Sequence, residues 1–456
     1  MEALPQLNFW SQLQSIIETV CMEFDQKWQK RKRVLNTHFL VLLIFKLVLS
    51  KNKQGYNSLL CELWDSNAQN NLLKLPQKNP IAASSLCEAR QKMPESIFLE
   101  LNQKILMHWQ QNHVSSTWQG HRIFAADGSK INLPTELMKA GYKIENENRC
   151  HHPTGLISTL YHLGDGMIYD FILQPTLDER LCAIEHMGQL SKGDVLVLDR
   201  GYFSYLLLYK SFEMGIHLIC RMQKGIINPE IKAFWDSQEI DTVIEYYPSA
   251  PVRSKFKKRG FNLKFKNILL RLIKYTIAGK IYVCATTFIG ENYPLEAFPK
   301  LYHGRWGIEE LYKISKQFIE VEDFHSCTEK GIKQELYAHL LLINIARIFE
   351  SEAKNNLPSP MKDEKSIEIK DNYWKGFCEE LHKIKINFKN CLLVVGRYLE
   401  QLFSANRCAV MDWLSQAIAS IVRVRQKIRP GRHYPRRSFN LIKKLASVNN
   451  SRIANA

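Results

Sequence analysis

The sequence predicts an α/β protein with helical segments at both ends, and three observations carry that prediction. Apolar residues recur at helical spacing through the first 115 residues. From Arg122 onward short apolar runs alternate with helical stretches, the pattern of an α/β sheet. Residues 223–285 then turn strand-like and basic before helical spacing returns after Pro294.

The elements follow in order. "FWSQLQSIIETV" and "THFLVLLIFKLVL" read as helices, and "SSLCEARQKMPESIFLELNQKIL" reads as a long amphipathic one with Ser84 or Ser85 as N-cap. "RIFAAD" is a short strand ending in Asp127. "GLISTLYHL" and "GMIYDFILQ" are strands joined by "GDG", a hairpin signal. "DERLCAIEHMGQL" returns to helical spacing. "DVLVLD", apolar on both faces, fits a central buried strand and ends in Asp199. "SYLLLYKSFEMG" is a helix and "IHLICRM" a strand. "TVIEYY", "NILLRLIKY" and "KIYVCATTF" are the strands of the basic segment, and "KQELYAHLLLINIARIFE" is a core helix. Ser351 to Asp371 reads as a linker, and the chain closes on a helix and a basic tail, Arg423 to Lys444. The expected organisation is thus a helical region over 1–115, an α/β domain split over 116–222 and 286–350, a β-rich insertion over 223–285, and a helical, basic region over 351–456.

Composition narrows the partners. A chain of 456 residues with 45% hydrophobic content can bury a core. Its 62 Lys and Arg against 45 Asp and Glu leave +17, which favours a polyanion or an anionic surface. The most apolar run, Phe39 to Leu49, contains Lys46 and is too short to span a bilayer. "MEALPQLNFWSQLQS" lacks the basic start and apolar middle of a signal peptide. Eleven scattered cysteines without a Cys-x-x-Cys pair read as reduced thiols. The expectation is a cytoplasmic protein with no membrane association.

The chemistry is expected from three carboxylates. Asp127 and Asp199 close apolar strands, and strand ends are where open α/β sheets place reactive groups. Glu309 lies in "YHGRWGIEELYKISK". At about 100° per residue, Arg305, Glu309 and Lys316 fall near 300°, 340° and 320° relative to Tyr302, within roughly 60°. Leu311, Ile314 and Phe318 fall on the opposite side. One face can pack on a sheet while the other gathers a carboxylate, two cations and a phenol. Asp127, Asp199 and Glu309 together would suit hard divalent cations such as Mg²⁺. Two such ions activate a water or hydroxyl and stabilise the leaving oxygen of an in-line phosphodiester displacement. Arg305 and Lys316 would hold phosphates, and Tyr302 would hydrogen-bond a phosphate or stack on a base.

These residues also carry a resemblance. Tyr302, Arg305, Glu309 and Lys316 match, at every interval, the Tyr-Arg-Glu-Lys signature of bacterial insertion-sequence DDE transposases of the insertion-sequence-four group. "DGSKINLP" at Asp127 and "DRGYFS" at Asp199 resemble the two aspartate blocks, and "LYHLGDGMIYDF", "DERLCAIEHM", "VCATTF" and "RPGRHYPR" resemble their counterparts. The resemblance covers roughly residues 84 to 440 and departs in a detail, Ser129 standing where many relatives have Thr. It implies an RNase H-like catalytic core with a β-rich insertion between the second aspartate and the glutamate. It implies metal binding by Asp127, Asp199 and Glu309 (two Mg²⁺, with Mn²⁺ as a substitute). It implies contacts of Tyr302, Arg305 and Lys316 with double-stranded DNA at the transposon ends. The protein would act as a homodimer, each protomer gripping one end, join the freed 3′ ends to target DNA, and associate with the nucleoid when bound. The competing readings are an inactivated transposase that only binds DNA and a general RNase H-like nuclease.

The remaining polar residues read more plainly. Arg200, directly after Asp199, either steers the metal site or contacts DNA. Cys150, His151 and His152 lack a second zinc-spaced pair and read as loop residues. Asp165 reads as a turn former and Asp170 as an alternative carboxylate. Glu179, Arg180, Glu185 and His186 read chiefly as surface charge. The basic runs at Arg253–Lys266 and Arg423–Lys444 suit phosphate contact, with sequence recognition left to the N-terminal helices.

Overall fold

The structure is a computed structural model that describes residues 5–29, 34–50, 55–76, 78–145, 151–225, 228–277, 279–290, 292–318, 320–357, 384–404 and 410–427. Five helices come first: α1 (Pro5–Trp28), α2 (Thr37–Leu49), α3 (Tyr56–Asn70), α4 (Ala83–Lys92) and α5 (Ser96–Asn112). The single helix expected from Ser84 onward is two. Pro94 removes a donor and disfavours helical backbone at Met93, so the chain breaks there and restarts at Ser96. Ser84 and Ser85 lie inside α4, whose N-cap is Ala82.

A mixed sheet follows, built from β1 (Ile123–Asn132), β2 (Thr154–His162), β3 (Ile168–Gln174), β4 (Val195–Leu198), β5 (His217–Arg221), β6 (Asp241–Tyr246), β7 (Ile268–Ile277) and β8 (Lys280–Thr286). Its order is β3-β2-β1-β4-β5-β8-β7-β6. The β2–β3 hairpin turns through Gly166 at φ +70°. β1, β4 and β5 run parallel, and β4 is buried along its length, so its side chains are apolar on both faces. The β-rich segment adds β8, β7 and β6 to the β5 edge of the same sheet. It also contains helices α8 (Pro229–Asp236) and α9 (Ala250–Lys258), so much of the basic run from Arg253 is helix and not strand.

Two short helices connect the sheet strands: α6 (Glu179–His186), capped by the Asp178 carboxylate, and α7 (Tyr205–Met214), capped by the Ser204 hydroxyl. The signature segment is α10 (Ala297–Gly304), a break at Arg305, α11 (Trp306–Lys313) and a π-helical turn over Ile314–Phe318. The expected helix start near Tyr302 therefore gives way to one five residues earlier. The side chain of Phe318 lies outside the described residues.

The long α12 (Glu329–Asn355) carries twenty buried residues and forms the spine for helices from both ends of the chain. α13 (Phe388–Arg397), α14 (Leu399–Leu402) and α15 (Val410–Arg423) pack with α1, α2, α5 and α12 in one continuous apolar core. Gln14 on α1 donates to the Gln401 carbonyl (3.1 Å), and Lys46 on α2 pairs with Glu400. A short ribbon, β9 (Ile384–Ile386) with β10 (Arg425–Lys427), completes the described chain. α12 runs five residues into the expected linker, whose part beyond 357 lies outside the described residues, as do Cys150 and the basic tail from 428 onward. No helix among the described residues is long and apolar enough to cross a membrane.

Candidate active site

Strand register brings the two aspartates together. β1 pairs with β4 in parallel through Ala125↔Val197, and Asp127 and Asp199 each lie two residues further on. Residues two apart share a face, so the carboxylates leave the sheet side by side. Asp199 follows the last residue of β4, as expected. Asp127 does not end its strand, because β2 continues to pair with β1 as far as Asn132. It lies past the end of the β4 ladder, which opens the sheet on that side.

The face carrying Ile123, Val195 and Val197 is covered by Phe298, Leu301 and Tyr302 of α10. The Tyr302 hydroxyl donates to Asp199 Oδ1 (2.9 Å). Arg305, at the break between α10 and α11, is 5% exposed, so its charge must be matched inside. Its Nη1 donates to Asp127 Oδ2 (3.3 Å) and its Nη2 to Glu309 Oε1. One guanidinium thus bridges the first and third carboxylates of the sequence-predicted set. Lys316 donates to the carbonyl of Lys130, three residues beyond Asp127 on β1. Arg200 is exposed and lines a cleft of about 510 Å³ with Arg221, Lys224 and Trp235.

The aspartates are electrostatically unequal. Burial pushes the Asp127 carboxyl up to about 6 against the opposing pull of Arg305 and the Gly128 N–H, and Glu179 and Asp199 add to the rise. Burial also disfavours charge on Asp199, but the Arg200 N–H, the Tyr302 hydroxyl, Arg305 and Arg221 together hold it below the usual carboxylate range. Burial outweighs Arg305 at Tyr302 and raises its phenol, which stays a donor. Among the described residues no three His, Cys, Asp or Glu side chains gather at the spacing of one metal site, and Glu309 is engaged with Arg305.

Residues 118–345, half of the chain, match the family described as "Transposase DDE domain". The chain belongs to the DDE transposase family. Over 291 residues the chain is 22% identical to the transposase for insertion sequence element IS231F of Bacillus thuringiensis subsp. israelensis, covering 54% of its own length and only 60% of that relative's. A cryo-EM structure of the piggyBac transposase synaptic complex with hairpin DNA aligns over 94% of this chain and 86% of that one at 11% identity and a TM-score of 0.43, too low to bear on function.

Three neighbours of the carboxylates were not legible as such. Tyr312 donates from a buried position to the Asp127 carbonyl (2.8 Å) and to Thr159 Oγ1 (3.0 Å). By the angular reading it falls near 280°, on the polar side, but a tyrosine on a helix reads as core (at about 100° per residue). Tyr202 buries a hydroxyl with no protein partner beside Asp127 and Glu179. Glu179, read as surface charge, packs on Gly128, whose added Cβ would stand 2.8 Å from Glu179 Cγ. Gly128→Ala is therefore expected to push Glu179 away and lower the Asp127 pKa. Carboxyl titration of Asp127 by NMR checks this, and an unchanged midpoint would refute it.

Proposed function

We propose that the protein binds the terminal inverted repeats of its insertion sequence, cleaves phosphodiester bonds at those ends and joins the 3′ ends to target DNA. The observation that supports this most is the parallel register that sets Asp127 beside Asp199, with Arg305, Tyr302 and Glu309 delivered to them by one helical segment. The strand order β3-β2-β1-β4-β5, antiparallel and then parallel, supports an RNase H-like core of the insertion-sequence-four type. The segment 223–285 is the insertion and the first 115 residues the DNA-recognition region in this reading.

The donor set suits a hard divalent cation, since all three groups are carboxylates and burial works against the charge on the half-buried Asp127 despite Arg305. Asp127 and Asp199 would hold Mg²⁺, or Mn²⁺ in its place, and Glu309 would join them on leaving Arg305. Two such ions, when bound, lower the pKa of the attacking hydroxyl and stabilise the leaving oxygen. Arg305, released, has a planar fork for a phosphate, and its Nε is without a partner. Tyr302 orients Asp199. Lys316, bonded to the Lys130 carbonyl three residues beyond Asp127, and the exposed Arg200, next to Asp199 in the chain, would contact backbone phosphates. Each protomer of a homodimer would hold one DNA end.

A labelled element end incubated with Mg²⁺ or Mn²⁺, with and without EDTA, tests this. Nicking and joining that EDTA abolishes are expected. No reaction with either metal would overturn the catalytic assignment. The Arg305–Glu309 pairing favours one other reading, a protein that binds DNA without cutting it, for which end binding would persist unchanged in Glu309→Ala.

A further inference from the structure

On the face of β2 opposite Thr159 and Tyr312, three polar side chains form a chain leading to Asp127. His186, the last residue of α6, is fully buried. Its Nδ1 stands 2.7 Å from Asp170 Oδ2 on β3 and its Nε2 3.0 Å from Ser158 Oγ on β2. Ser158 Oγ lies 3.4 Å from the main-chain carbonyl oxygen of Asp127. These contacts have the order of a Ser–His–carboxylate nucleophile, but Ser158 is wholly buried, so no substrate meets its hydroxyl. The carboxylate fixes the ring instead. With Nδ1–H donating to the Asp170 carboxylate and Nε2–H donating to Ser158 Oγ, the single Ser158 hydroxyl hydrogen is left to donate to the Asp127 carbonyl, and both ring nitrogens are satisfied in a place where an unsatisfied one would be costly.

We propose that Ser158, His186 and Asp170 are positioning residues that hold the Asp127 stretch of β1 in its reactive place. The inference rests on the reading of Asp127 as a carboxylate of the reaction. The stretch needs holding. Past Ala125 β1 has no partner on its β4 side, so Asp127 is carried by a strand paired only to β2. Tyr312 grips the Asp127 carbonyl from one face, and Ser158 reaches it from the other. The second aspartate is tied to the same helix, because Arg180 Nε on α6 donates to the Gly201 carbonyl (2.8 Å), two residues past Asp199. Glu179, also on α6, packs on Gly128. One eight-residue helix thus spans both aspartate-bearing segments, and His186 is its buried anchor to β2 and β3.

Hydrogen exchange and end cleavage, measured together on the full chain, test this. Ser158→Ala and His186→Ala are each expected to speed amide exchange in a peptide covering residues 124–131 by about tenfold, with exchange in α12 unchanged. Both are expected to raise the Mg²⁺ concentration for half-maximal end cleavage by about tenfold, while affinity for the DNA end stays within about twofold. His186→Gln, whose amide reaches one of the two partners, should fall between. Ser158→Ala removes a single oxygen and keeps the test usable where His186→Ala does not fold. Exchange over 124–131 equal to wild type in Ser158→Ala, or accelerated by the same factor in α12, overturns the proposal. A wild type that cuts no DNA overturns the catalytic reading alone, because the exchange result still decides whether these residues hold β1.

Discussion

Asp127→Asn is expected to abolish strand cleavage at any divalent-metal concentration and to raise the melting temperature at neutral pH. The two effects share a cause. The Asp127 carboxyl has a folded pKa of about 6, above its ordinary 3.8, because burial outweighs Arg305 and the Gly128 N–H. A raised carboxyl pKa means that the folded protein bears a cost whenever Asp127 is ionised. Asparagine removes that cost above pH 6, worth about 1–3 kcal/mol. The gain should shrink as pH falls from 6 to 4, where the wild-type folded state takes up the proton itself. Calorimetry of both proteins at pH 8 and pH 4 measures it. An equal or lower melting temperature for the variant at pH 8 would contradict the electrostatics, and residual cleavage would contradict the role of the carboxylate.

Arg305→Ala should have the largest structural cost of any single change in the site. The guanidinium is buried and holds Asp127 and Glu309, while its charge also lowers Asp199. Removing it leaves these carboxylates uncompensated, a loss of about 3–5 kcal/mol by the usual cost of breaking a buried pair. Arg305→Lys should recover little, since one ammonium cannot fork to two carboxylates. Denaturant midpoints give the loss, and Mg²⁺ should raise the midpoint of Arg305→Ala more than that of wild type. An Arg305→Ala protein as stable as wild type would mean that the bridge adds nothing.

The site was legible in part because its logic is local and periodic. Regular helical spacing places Tyr302, Arg305 and Glu309 on one side, and they do converge, although across a break at Arg305 that regular spacing does not contain. The β2–β3 hairpin was legible from its turn residues. Gly128, Ser129 and Lys130 interrupt the apolar run and make Asp127 look like a strand end, yet pairing to β2 carries the strand through them. His186 and Glu179 read as surface charge and Asp170 as an alternative carboxylate, since only the long-range packing of α6 on β1, β2 and β3 buries His186 between Asp170 and Ser158 and sets Glu179 on Gly128. Strand order is equally non-local. The apolar alternation of β6 to β8 could not say that they extend the main sheet.

The shared core of the terminal helices has a consequence for synthesis. Leu13, Ile17 and Leu43, fully or almost fully buried in the finished protein, belong to a core that α12 and α13 complete. α12 begins some three hundred residues after α1, and a ribosome takes roughly 15–60 s to cover that distance. Throughout that interval α1, α2 and α5 have one another to pack on, but the apolar stripes that face α12 and α13 lack their partners. The nascent chain is then a client for chaperones, and a message cut short before α12 yields a product whose first helices never find their seat.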